Sequence, residues 1–122
     1  MLTQSAQERL VEYARAHPDQ EVCGFVISDG TYRPIRNVAD RINREFVFHP
    51  YDQMRVVRQV NAEGLSILGV FHSHPGGSDK VSDRDFAGWP ILSDGSYCRY
   101  WIIVNDEVIE FGVEDDRPVR IT

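Results

Sequence analysis

The sequence predicts an α/β fold, in which a mixed β-sheet carries helices packed on it. Three observations lead there. Apolar runs of strand length alternate with stretches of helical periodicity. Short turn signals separate them. The length, 122 residues, matches one domain, so residues 1–122 are expected to form a single unit. The order read along the chain is α-β-β-β-α-β-α-β-β.

Residues 5–16 read as a helix, with Ala6, Leu10, Tyr13 and Ala14 at three- and four-residue steps. His17-Pro18-Asp19 ends it, because proline disfavours helix in the residue before it. EVCGFVIS (21–28) reads as a buried strand, and Asp29-Gly30 turns it into a returning strand over 31–37. Pro34 cannot donate to a ladder, which places that strand at an edge. REFVFHP (44–50) reads as a third strand. Pro50 then opens a helix over 51–63, with Met54, Val57 and Asn61 on one face, Val56 and Val60 beside it, and Gly64 as its stop. LSILGVFHSH (65–74) is a strongly apolar strand broken by Pro75-Gly76-Gly77. A short helix follows over 82–88. Residues 98–105 and 107–113 form a hairpin about Asn105-Asp106, and PVRIT (118–122) is a last short strand.

Composition narrows the function classes. Hydrophobic content of 42% and charged content of 26% are ordinary for a globular protein. The net charge is −6 and no two basic residues are adjacent, which argues against nucleic acid and anionic membranes as partners. The N-terminus lacks the basic start and apolar block of a signal peptide, and no apolar run is long enough to span a bilayer. Cys23 and Cys98 share no metal-type spacing and are expected to be reduced core thiols, consistent with a cytoplasmic location.

The chemistry concentrates in GVFHSHPGGSDKVSDRDFAGW (69–89). Residues two apart on a strand project from one face, so His72 and His74 are neighbours, with Cα atoms about 6.6 Å apart. They lie at the strand's end, within reach of a loop. A turn and the first turn of the next helix can return Asp85 to them. Two imidazoles and a carboxylate, with a fourth position open for water, form a catalytic zinc arrangement. SDRD (82–85) also fits a capping box, with Ser82 at the N-cap and an acid three residues on. The two readings coexist, because a capped helix start can hold its acid rigidly towards a metal. His17 and His49 each precede a proline and read as boundary residues. Trp89 and Pro90 open a loop, 89–97, beside the expected site. The H-x-E and P-C-x-x-C signature of zinc deaminases is absent.

His72-Ser73-His74, seven residues, Ser82, two residues and Asp85 resembles the JAMM motif of the MPN (Jab1/Pad1/Mov34-type) zinc metalloprotease family. The resemblance runs from the first helix to the final hairpin, and every motif position is filled. It implies an α/β fold with a curved sheet between helices. It implies a Zn²⁺ ion on His72, His74 and Asp85. It also implies a glutamate on an early strand after the first helix, and Glu21 is the residue at that place. In that scheme zinc lowers the pKa of a bound water to about 7 and polarises a carbonyl. Glu21 takes the water's proton and passes it to the departing amine, and Ser82 stabilises the oxyanion. Cys23, on the face of Glu21, is read as packing.

Members of the family cleave bonds after the C-terminal glycine of ubiquitin-like proteins, or process small β-grasp sulfur carriers. The resemblance therefore implies a ubiquitin-like or β-grasp partner with a glycine-ended tail, lying between the 75–81 turn and the 89–97 loop. The short chain resembles a compact prokaryotic or phage-type member. A phage-tail or cell-wall peptidase and a non-catalytic MPN interaction scaffold are the alternatives.

Overall fold

The computed structural model describes residues 1–122. Six strands form one sheet in the order β2-β1-β3-β4-β5-β6. They are β1 (Cys23–Ile27), β2 (Tyr32–Ile35), β3 (Ile67–Ser73), β4 (Arg99–Val104), β5 (Glu107–Glu114) and β6 (Arg117–Arg120). Only the β3–β4 pair is parallel, so the sheet is mixed. The helices are α1 (Gln4–Ala16), α2 (Pro50–Ala62) and α3 (Asp83–Ala87). None is long and apolar enough to cross a membrane.

Strand alternation sorts the apolar residues into two cores. On one face Val26, Phe71, Trp101 and Ile103 meet Leu2, Ala6 and Leu10 of the α1 segment. On the other, Val70, Tyr100, Ile102 and Ile109 meet Val56 and Val60 of α2. His72 falls on the second face, among that core's residues, and is fully buried. Close pairing of β3 with β4 needs Gly69, where an added Cβ would lie 1.9 Å from the Arg99 carbonyl oxygen.

Helix starts follow their caps. Thr3 Oγ1 accepts from the Ala6 N–H at the head of α1. His49, expected only as a boundary residue, caps α2 by accepting from the Asp52 N–H. Asn105 and Asp106 both have positive φ, 51° and 63°, as the two-residue turn between β4 and β5 requires. Pro34 lies on the edge strand β2, as its missing N–H demands.

Two sequence expectations fail, each for a physical reason. Residues 44–50 do not form a strand; their ladder is a single bridge between Asn37 and Phe48. The Asn37 side chain replaces the rest of it, with Nδ2 donating to the Glu45 carbonyl at 2.9 Å and Oδ1 accepting from the Val47 N–H at 3.1 Å. The element order is therefore α-β-β-α-β-α-β-β-β. In α2 the buried stripe is Asp52, Val56 and Val60, while Met54 is 53% exposed. Arg36 pulls the stripe round by gripping Asp52 with two bonds, at 2.7 and 3.0 Å.

That grip has a pH signature. The Arg36 hydrogen bonds and charge hold the Asp52 carboxyl down at about 2, against burial. A carboxyl depressed in the folded state adds stability above its unfolded pKa, about 3.9, and loses it as pH falls through the folded value. The gap in thermal midpoint between wild type and Asp52→Asn is expected to be constant above about pH 5 and to narrow from about pH 4 downwards. Thermal melts across that range check it, and a pH-independent gap would contradict it.

Candidate metal centre

Sheet register builds the site. In the antiparallel β1–β3 pair Cys23 faces His72. Two residues further out, the same register sets Glu21 opposite His74, and residues two apart share a face. Glu21, His72 and His74 thus converge where β3 ends. Ser73, between the histidines, projects to the other face, and its Oγ accepts from the Val22 N–H at 2.9 Å. The Ser73 N–H in turn donates to the Val22 carbonyl, also at 2.9 Å. These two bonds pin the segment that carries Glu21. Asn37 Nδ2 donates to the Glu21 carbonyl at 2.9 Å and fixes it from the other side.

Asp85 arrives from α3. The capping box is real: Asp85 N–H donates to Ser82 Oγ at 3.0 Å, and Ser82 N–H donates to Asp85 Oδ2 at 3.1 Å. The box also aims the carboxylate. Asp85 Oδ2 lies 3.1 Å from His74 Nε2, and Oδ1 lies 3.3 Å from His72 Nε2. The two Nε2 atoms are 2.8 Å apart. The structure thus brings His72, His74 and Asp85 together, with one ligand atom from each inside a 4.8 Å span.

The donor set fits a divalent cation. His74 Nδ1 lies 2.7 Å from the Ser78 carbonyl, which accepts only if Nδ1 carries the proton. In the neutral imidazole His74 Nε2 then keeps a lone pair facing inward, the usual state of a metal-ligating histidine with an outer hydrogen bond. Around His72 Nε2 stand that lone pair, Asp85 Oδ1, and Glu21 Oε1 at 3.9 Å. Glu21 Oε1 is buried without a hydrogen-bond partner. Such a cluster of electron-rich atoms is stabilised by a positive charge at its centre. Two neutral imidazoles and one carboxylate are a zinc donor set with one position open.

Burial and charge tune these groups. Burial pushes the Glu21 carboxyl up to about 7, with the Asp85 and Glu45 charges adding and His74 and Arg84 opposing. Burial pushes His72 down towards the neutral imidazole a metal needs. For His74, burial acts downwards but bonds to Asp85 and the Ser78 carbonyl outweigh it. Burial would raise Asp85, and its bonds to both histidines hold it well below the usual carboxylate range instead.

A cleft of about 250 Å³ reaches Asp85 between residues 45–47 and α3, with Tyr100 also on its wall. An ion pair between Arg84 and Glu45 joins its two sides. Its position differs from the sequence expectation, because neither the 75–81 turn nor the 89–97 loop lines it. Trp89 is core: it is 4% exposed and its indole N–H donates to the Cys98 carbonyl. Cys23 packs as expected, its Sγ 3.3 Å from the Ile35 carbonyl, and both cysteines are buried free thiols. Phe46 stacks on His72, with ring centroids 4.7 Å apart.

Sequence reasoning missed Ser73, Asn37, Phe46, Ser78 and Tyr100 as parts of the site. A serine inside an apolar strand was the one local signal among them.

The model of the prokaryotic homologs of the JAB domain matches residues 3–117. A desampylase of Pyrococcus furiosus is 29% identical over 93 residues, which is 71% of this chain and 61% of that protein's length. A desampylase of Haloferax volcanii is 29% identical over 102 residues, 73% of each chain. A solution structure of a protein from Desulfitobacterium hafniense shares the fold, with a TM-score of 0.77 at 24% identity, over 98% of this chain and 88% of that one.

Proposed function

The chain belongs to the family of prokaryotic JAB-domain homologs, and from that membership we propose that it is a zinc-dependent peptidase or isopeptidase. Its substrate is the bond that follows the C-terminal glycine of a small ubiquitin-like or β-grasp protein. The observation that carries this reading is the convergence of His72, His74 and Asp85 beside the unpaired carboxylate oxygen of Glu21. The two relatives named desampylases support a deconjugating activity.

His72, His74 and Asp85 would hold the zinc ion. When bound, it supplies Lewis acidity, which makes a water more acidic and polarises the scissile carbonyl. Glu21 is the general base. It accepts the attacking water's proton and delivers it to the amine as the C–N bond breaks. Ser73 and Asn37 hold the Glu21 segment in register. Ser82 Oγ accepts its cap bond through a lone pair, so its O–H stays free to donate to the oxyanion of the tetrahedral intermediate.

The partner's tail enters as an extended strand. Val47 and His49 direct their backbone groups towards residues 36–38. The alternating N–H and C=O of Phe46 point to the opposite edge and have no partner in that ladder. A tail adds there by main-chain hydrogen bonds. Phe46, Val47 and Arg84 crowd the cleft, which favours glycine.

Cleavage of fusions tests the reading. A β-grasp protein ending in Gly-Gly, fused to a short C-terminal peptide, is expected to be cut after its last glycine. Mass spectrometry of the products locates the bond. Peptidoglycan stem peptides cut in its place would support a cell-wall peptidase.

Ser82→Ala separates the two duties of that residue. Loss of the cap costs about 1 kcal/mol of stability. Loss of an oxyanion donor lowers kcat by about 10²–10³-fold with little change in KM. Steady-state kinetics beside thermal melts are expected to show both, and a stability loss at unchanged kcat would leave Ser82 as a cap alone.

A further inference from the structure

Tyr100 is 1% exposed, yet packing explains only its ring. That ring meets His72 edge-on, centroids 5.2 Å apart and planes at 88°, and leans on Trp89 at 4.4 Å. A buried tyrosine hydroxyl normally finds a partner. The Tyr100 hydroxyl has no partner within the protein, yet it is not among the fully enclosed polar atoms left unpaired, which are Glu21 Oε1, His72 Nδ1 and Glu110 Oε2. Its outlet is the cleft, whose wall Tyr100 forms together with Asp85 and Gly88.

The cleft is poor in donors. The Arg84 guanidinium is engaged by Glu45, and the Asp85 carboxylate is taken up by the two histidines and the Ser82 N–H. A peptide entering it can give an N–H group to the Phe46 carbonyl. Its own carbonyl oxygens need donors; the Phe46 N–H is one, and the phenol is the one side-chain O–H on the wall. We propose that the Tyr100 hydroxyl donates a hydrogen bond to a backbone carbonyl of the partner's tail beside Asp85, making Tyr100 a substrate-binding residue. This rests on the peptidase reading above. It also deepens that reading, because it names a residue that holds the substrate's main chain.

The test uses zinc-loaded protein carrying Glu21→Gln, which binds without cutting, with and without Tyr100→Phe. The probe is the Gly-Gly-ended β-grasp fusion, and its Kd is measured by calorimetry. One neutral hydrogen bond predicts about 3- to 10-fold weaker binding. Thermal midpoint and zinc content should stay unchanged, because the hydroxyl makes no bond within the protein. In the otherwise wild-type protein, Tyr100→Phe should raise KM by more than it lowers kcat. Unchanged affinity overturns the proposal, whether or not the midpoint falls. If the Glu21→Gln parent itself fails to bind the fusion, the peptidase reading fails first, and that outcome is distinct from a Tyr100 result.

Discussion

Replacing His74 with alanine is expected to reduce hydrolysis by more than about 10³-fold, because a Lewis acid contributes several kcal/mol and each 1.36 kcal/mol is tenfold in rate. His74 is the hinge of the donor set. Its Nε2 meets both His72 Nε2 and Asp85 Oδ2, and its Nδ1 is tied to the Ser78 carbonyl. On the proposed zinc site, alanine removes a ligand and unbalances the other two, leaving a carboxylate and a buried imidazole without their common partner. Thermal melts read the same loss independently. Zinc should raise the wild-type midpoint, as any ligand specific to the folded state does, and should not raise that of His74→Ala. A variant that keeps its rate and its zinc-dependent midpoint would remove His74 from the centre.

Glu21→Gln is expected to lower kcat by about 10²–10⁴-fold while zinc stays bound. The cluster of ligand atoms comprises His72, His74 and Asp85 without Glu21, to which the proposed mechanism gives the role of base. Glu21 Oε1 stands 3.9 Å from His72 Nε2, further than Asp85 Oδ1 at 3.3 Å, and takes no hydrogen bond. Glutamine keeps the shape and the pins from Ser73 and Asn37, since both act on backbone groups at or beside residue 21. What it loses is the basic oxygen. Kinetics paired with metal analysis decide the matter: zinc lost together with rate would make Glu21 a ligand.

The parts of the site legible in the sequence are the local ones. His72 and His74 share a face because a strand alternates, and Ser82 and Asp85 are linked by capping-box spacing. Asp85 needs only a short loop to come back to the histidines. Glu21 is different, since its place opposite His74 depends on the β1–β3 register, which periodicity does not supply. Its role follows only from the family resemblance. Asn37 and Tyr100 stayed hidden for the same reason: one acts through tertiary bonds to a loop, the other through a cleft wall. Residues 44–50 read as a strand because their apolar composition suits a ladder, which the Asn37 side chain largely replaces. The α2 stripe departs from its apolar pattern because a charged residue, Asp52, is turned inwards by an arginine from outside the helix.

The measurement that reaches the central claim most directly is the zinc content of the purified chain beside that of the His72→Ala/His74→Ala double variant. One zinc per wild-type chain and none in the variant is the predicted result. Full zinc occupancy in the double variant would contradict it.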